Sequence, residues 1–172
     1  MKSLVVYSSL TGNTKMVAEA IAEELGENTV LAAVEENPSV ESYDLVAVGF
    51  WVDRGTADRK SADYLGTIKN KRVALFATLG DDPHSDHAKK SLENAAALLD
   101  ASNEVVGQFI CQGKVDPKLI EKMEKMFSAN HPHGMNEERK ARHKIASTHP
   151  DTNDLLAAKT VFNKIKSELL GG

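Results

Sequence analysis

The sequence predicts an α/β domain in which a five-stranded parallel sheet, in the order 2-1-3-4-5, carries helices on both faces as a three-layer sandwich. Three observations lead there. Short apolar, β-branched runs recur along the chain, helical stripes separate them, and the first run leads directly into a polar, hydroxyl-rich turn that opens a helix.

The runs "SLVVY" and "DLVAVGF" have the length and flanks of buried strands, and "RVALFATLG" is a third. "NTVLAAV" is a weaker one, and "NEVVGQFICQG" supplies a fifth, with Gly107 marking a bulge or an edge. Between them, Met16, Val17, Ala20, Ile21 and Leu25 share one face of a first helix that Gly26 is placed to end. "SDHAKKSLENAAALLDA" repeats the pattern, with Ala88, Leu92, Ala95 and Leu99 along one stripe. "DPKLIEKMEKMF" is a third helix, opened by Asp116 and Pro117 at the N-cap and first helical positions. The last helix, "DTNDLLAAKTVFNKIKSELL", is expected to bury Leu155, Leu156, Val161, Phe162, Ile165 and Leu169 and to stop at Gly171. The polar, His-rich stretch at 131–148 is expected to be a surface excursion with a short helix near Glu137 to Ala146.

A chain of 172 residues suits one domain spanning 1–172, with room for a substantial core. With 41% hydrophobic and 27% charged residues, disordered, collagenous and disulfide-scaffold classes fit poorly. No apolar run approaches the roughly 18 residues a membrane span needs, and the N-terminal residues lack a signal-type pattern, so a cytoplasmic protein without a membrane span is expected. Cys111 is the single cysteine, which excludes an internal disulfide and a cysteine-rich metal or iron–sulfur site. A net charge of -4 gives no footprint for nucleic acid.

In an open parallel sheet, ligands bind beyond the carboxyl ends of the strands near the switch in strand order. That names three loops: Ser8 to Thr14, Phe50 to Lys60 and Thr78 to His87. The first reads "SSLTGNT". A helix N-terminus exposes unpaired N–H groups and a partial positive charge, and small hydroxylated residues let the chain wrap closely around a phosphate. Ser9, Thr11 and Thr14 offer hydroxyls and Gly12 permits the sharp turn. The GxxxxGK[ST] and GxGxxG patterns are absent. The alternative is that the stretch merely caps a helix, since Ser, Thr and Asn are the preferred capping residues.

"VVYSSLTGNTKMVAEAIA" resembles the FMN phosphate loop of the flavodoxin family, aromatic-x-S-x-T-G-N-T-x-x-x-A-x-x-I-A, over strand, loop and helix together. "YDLVAVGF" with its following loop, and "KNKRVALFATLGDDPHSDHAKKSLE", resemble that family's third and fourth strands and the two loops flanking the flavin. The resemblance covers roughly Lys2 to Gly113 and the last helix, and 131–148 lies outside it. It implies a flavodoxin-like fold, with FMN as cofactor and Ser9, Leu10, Thr11, Gly12, Asn13 and Thr14 around its phosphate, without an arginine.

A flat isoalloxazine takes apolar or aromatic faces and backbone hydrogen bonds along its polar edge. Trp51, the only tryptophan, is the candidate face, but it comes earlier in its loop than in typical flavodoxins. The ring would otherwise meet Val52 and the backbone of Asp53 to Gly55, with Trp51 packed beneath the loop. The resemblance makes Gly55 the peptide expected to turn over on reduction, a movement cheap only for glycine. Arg54, if near the ring, would oppose the usual acidic surroundings and make the potential less negative; its alternative is a solvated charge. Thr78, Leu79, Gly80, Asp81 and Asp82 are expected to read the pyrimidine edge, with Pro83 fixing the turn.

The remaining polar groups read more plainly. Asp81 and Asp82 lack the acidic partner that a metal or phosphoacceptor site would need. His84 and His87 are proton shuttles at the outer edge or solvated residues. His131, His133, His143 and His149 have irregular spacing, and no metal site is expected. "RKARHK" is a solvated helix face or a docking patch. Cys111 is read as a small buried apolar residue.

By resemblance the leading function is an FMN-binding electron-transfer protein that shuttles electrons to partner reductases, its redox partner protein being a reductase or an electron donor, and it acts as a carrier or accessory flavoprotein rather than a stand-alone enzyme. "GFWVDRGTAD", "FICQGKVDP" and "HPDTNDLLAAKTVF" look like a bacterial subgroup that includes an accessory flavoprotein of bilirubin reduction. An FMN-dependent reductase acting directly on a quinone or tetrapyrrole, and a flavin-free interaction domain, remain alternatives.

Overall fold

The central strands of the sheet split their side chains between two cores, which sets the layers. In the computed structural model, described for residues 1–126 and 136–171, β1 (Ser3–Tyr7) sends Leu4 and Val6 to one face and Val5 to the other. β3 (Leu45–Asp53) does the same with Val46, Val48 and Phe50 against Leu45 and Ala47, and β5 (Arg72–Leu79) with Val73, Leu75 and Ala77 against Ala74 and Phe76. All of these are buried, as the period of two predicts for a sheet covered on both sides.

The first core lies under α2 (Arg59–Leu65) and α3 (Asp86–Ala96); the second lies under α1 (Asn13–Leu25) and α6 (Thr152–Gly171). With β2 (Thr29–Ala33) and β6 (Glu104–Gln112), the parallel sheet runs β2-β1-β3-β5-β6, which is the expected 2-1-3-4-5 order of the five long strands. Phe76 meets Phe162 edge-on, ring centroids 6.1 Å apart, fastening α6 to the sheet. Near Gly107 the β5–β6 register slips, Val73 facing Val105 while Ala74 faces Gly107, so Val106 is the extra residue of a bulge.

Several expectations need correction. The sheet has a sixth strand, β4 (Thr56–Ala57), antiparallel to the end of β3, because the stretch read as a loop at Phe50 to Lys60 is a hairpin followed by α2. Met16 and Leu156 are exposed, since α1 and α6 bury the stripes centred on Ile21 and Phe162, and both residues fall off them. α2 carried too short a stripe to be seen in the sequence; Asp58 caps it, accepting from Ser61 N–H. α4 (Pro117–Met126) and α5 (Glu137–Ala146) form where expected, with Asp116 Oδ1 accepting from Lys118 N–H at the start of α4. The first part of the excursion, with His131 and His133, lies outside the described residues.

Candidate functional site

The chain leaving β1 turns sharply because Gly12 takes a left-handed conformation, φ 93°, immediately before α1. Its carbonyl accepts the first helical bond, from Met16 N–H. The first turn of α1 has no acidic residue and Gly12 at its N-cap offers no side chain, so no negative charge neutralises the positive helix end locally. The N–H groups of Gly12 and Lys15 converge on one acceptor, Ser9 Oγ, at 3.0 and 3.3 Å. Backbone N–H donors that converge on one oxygen are what an anion site requires.

Asn13 and Thr14 reach away from that turn. Asn13 Nδ2 donates to Lys114 O at 2.8 Å, and a Cβ on Gly113 would lie 2.6 Å from that Nδ2, so glycine is what lets the amide approach the chain after β6. Thr14 Oγ1 and Thr78 Oγ1 share a buried hydrogen bond of 2.9 Å that ties α1 to the end of β5.

The second stretch is a hairpin. Val52 faces Ala57 and Asp53 faces Thr56, which leaves Arg54 and Gly55 as a two-residue turn. Both have positive φ, 52° and 79°, as a type I′ turn requires. Gly55 O accepts from Asn94 Nδ2 at 2.7 Å, which pins the turn to α3.

Together these elements enclose a cleft of about 240 Å³ at the carboxyl ends of the central strands. Ser9, Leu10, Thr11, Asn13 and Thr14 form one end; Trp51, Val52 and Asp53 form the near wall; Thr78, Leu79 and Gly80 form the floor. Gly12, Arg54, Gly55, Asp81 and Asp82 do not line it. Arg54 is exposed at the hairpin tip. Turnover of the Gly55–Thr56 peptide would break the Asn94 bond. Asp82 Oδ1 accepts from His84 N–H and Asp81 Oδ1 from Asp82 N–H, so both carboxylates organise their own turn, and Arg142 of α5 lies 3.7 Å from Asp81.

The far wall was missed in the sequence: Gly113, Lys114, Val115, Asp116 and Leu119. The signal was present, because Gly113 follows a parallel strand next to β5 and the carboxyl-end rule extends to it. The cation at the cleft is therefore Lys114. Its backbone is held at both ends, N–H to His149 O at 2.9 Å and carbonyl by Asn13. Asp58 was missed as well; it is 2% exposed and sits behind the near wall.

Other titratable groups have structural explanations. Burial pushes the Cys111 thiol far up, with Asp154 and Asp151 adding to the shift, so it behaves as an apolar core residue. Burial, then Arg142 and Arg139, lowers His143. His149, Asp151 and Asp154 bring three ligand-type atoms within 4.8 Å of one another. Asp151 and Asp154 form a reciprocal capping pair at the start of α6, and His149 Nδ1 bonds Asp154 Oδ2 at 2.6 Å, so capping accounts for the cluster.

A family model described as "Flavodoxin domain" matches residues 4–163. The chain belongs to the flavodoxin family. Within the family it groups with the flavodoxin-like domain-containing protein BilS of Clostridioides difficile (strain CD3), 36% identical over 162 residues that cover 92% of each chain. Among solved structures, oxidised flavodoxin 2 from Bacillus cereus superposes with a TM-score of 0.54 at 19% identity, covering 98% of this chain and 99% of that one. A flavoprotein in complex with FMN from Lactobacillus acidophilus NCFM gives 0.50 at 19% identity, covering 70% and 97%. Both solved structures share the fold. No helix among the described residues is long and apolar enough to cross a membrane.

Proposed function

We propose that this chain binds FMN in the cleft and acts as an electron carrier to a partner reductase. One observation carries the reading: a single cleft joins a loop of converging N–H donors, at an uncompensated helix N-terminus, to a wall bearing the only tryptophan. The donor set fits FMN in kind. Backbone N–H groups from Ser9 to Thr14, with the hydroxyls of Ser9 and Thr11, would hold the phosphate. Trp51 and Val52 would meet a ring face, and Thr78, Leu79 and Gly80 would offer backbone groups to its polar edge. Leu79, Val115 and Leu119 supply further apolar lining. FMN, when bound, supplies the one- and two-electron chemistry; the protein binds it and limits water access. The family membership and the FMN complex of the Lactobacillus flavoprotein support the same cofactor.

The sequence resemblance to an accessory flavoprotein of bilirubin reduction makes a larger flavin-dependent reductase the partner proposed. A second reading, a reductase acting directly on a quinone or tetrapyrrole, is favoured by the far wall, where Val115 and exposed Leu119 extend the apolar lining beyond the three loops. The test is a visible spectrum of the purified protein with added FMN through stepwise anaerobic reduction. A yellow, stoichiometric complex is expected. Protein that stays colourless and binds no FMN removes both readings, and oxidation of NAD(P)H by the isolated protein with a quinone acceptor favours the second.

A further inference from the structure

Asp58 is a buried carboxylate with more partners than a helix cap needs. Its Oδ2 accepts from Ser61 N–H at 3.3 Å, which is the capping bond of α2. The same oxygen accepts from Ser8 Oγ–H at 2.7 Å, and Oδ1 accepts from Trp51 N–H at 3.3 Å. Asp58 N–H in turn donates to Trp51 O at 3.1 Å. A serine would cap α2 equally well and leave no carboxylate to bury. Burying a carboxylate at 2% exposure is costly unless hydrogen bonds offset it, and the two that go beyond capping lead to the two parts of the cleft.

Ser8 is the first residue after β1 and opens the phosphate-type loop. Trp51 is the near wall. They are far apart in sequence, and the cleft needs them at a fixed separation if a rigid, flat ligand with a charged tail is to reach both. We infer that Asp58 is the positioning residue that fixes the Trp51 wall relative to the loop entered through Ser8, so that their spacing is set before a ligand enters. Preorganisation of this kind lowers the ordering cost of binding. In its ligand this inference rests on the FMN reading; in its geometry it concerns the protein alone.

The test separates bridging from capping. Asp58→Ser keeps an N-cap oxygen for α2 but is too short to span to both Ser8 and Trp51. Because Trp51 is the only tryptophan, its fluorescence reports the wall directly, with and without ligand. In ligand-free Asp58→Ser protein, held well below its melting temperature, acrylamide quenching of Trp51 should rise about twofold and FMN affinity should fall about tenfold. Ser8→Ala, which deletes one oxygen, should weaken FMN by about threefold. Adding it to Asp58→Ser should cost nothing further, since both act through one bridge. Wild-type quenching in folded Asp58→Ser, or losses that simply add in the double variant, would overturn the inference. If Asp58→Ser does not fold, Ser8→Ala decides by itself, and unchanged FMN affinity there counts against the bridge. If wild-type protein binds no FMN, the proposed function falls, while the quenching of the ligand-free variants still decides the role of Asp58.

Discussion

The two walls of the cleft are built by opposite means. The near wall, Trp51 to Asp58, continues a central strand, rests on buried Phe50, Ala57 and Leu65, and is backed by a carboxylate with three hydrogen-bond donors. The far wall, Gly113 to Leu119, is tied down at its start, by Gly113 N–H to Leu79 O at 2.8 Å and by the two backbone bonds of Lys114, and then passes into α4, which buries none of its residues. The near wall should therefore stay fixed, and the far wall should respond to whatever enters. Local stability follows buried contacts and satisfied hydrogen bonds, which the two walls hold in unequal measure.

The largest expected effect strikes the base of the near wall. A Cβ on Gly49 would lie 2.1 Å from the Phe76 ring, which is fully buried and braced by Phe162. Gly49→Ala should lower unfolding free energy by about 3 kcal/mol, read from urea titration, because neither ring can retreat without opening the core. A loss below about 1 kcal/mol would mean that the near wall stands on a softer core than its burial implies.

Tyr64 tests the support of the same wall from α2. Burial pushes its phenol up to about 12, and its hydroxyl donates to Pro38 O at 2.7 Å. The neutral form is the one the fold favours, so the contribution is complete below the unfolded value near 10 and is lost as pH rises from there through about 12. It amounts to about 3 kcal/mol at most. Phenolate absorbance should show one of the three tyrosines ionising late, and Tyr64→Phe should remove that late step. Equal ionisation of all three in folded protein would place α2, and the wall on it, in a looser state.

Asn13→Ala addresses the far wall. It removes the bond to Lys114 O and should cost about 1 kcal/mol. More telling is where the loss appears: amide exchange should quicken at Lys114 to Leu119 and stay unchanged at Trp51 and Val52. Equal quickening on both sides would erase the distinction between the walls.

The same contrast governs what could be read from the sequence. β1, β3 and β5 were legible because a doubly covered strand has to be apolar on both faces, and the loop after β1 was legible because its function depends on local spacing. The hairpin was hidden, since Arg54 contradicts the Asn or Gly that a type I′ turn favours at its first central position, so "DRGT" carried no turn signal. Asp58 was hidden for a different reason: its partner Ser8 lies fifty positions away, and no period or motif registers such a pair. α4 was legible from its start, Asp116 and Pro117, but nothing in the sequence shows that the helix buries none of its residues.

The smallest effect belongs to the hairpin tip, and it runs towards greater stability. Arg54 holds φ at 52°, a region that costs a residue with a Cβ about 1 kcal/mol, whereas glycine enters it freely. Arg54→Gly relieves that strain but gives the unfolded chain more freedom, so a net gain of about 0.5 kcal/mol in thermal or urea unfolding is expected. Because Arg54 is exposed and outside the cleft lining, FMN affinity and midpoint potential should be unaltered, while Lys114→Gln, at the far wall, should move at least one of them. If Arg54→Gly shifts the potential instead, the tip must swing towards the ligand, which would break its Asn94 anchor and make the near wall the mobile one.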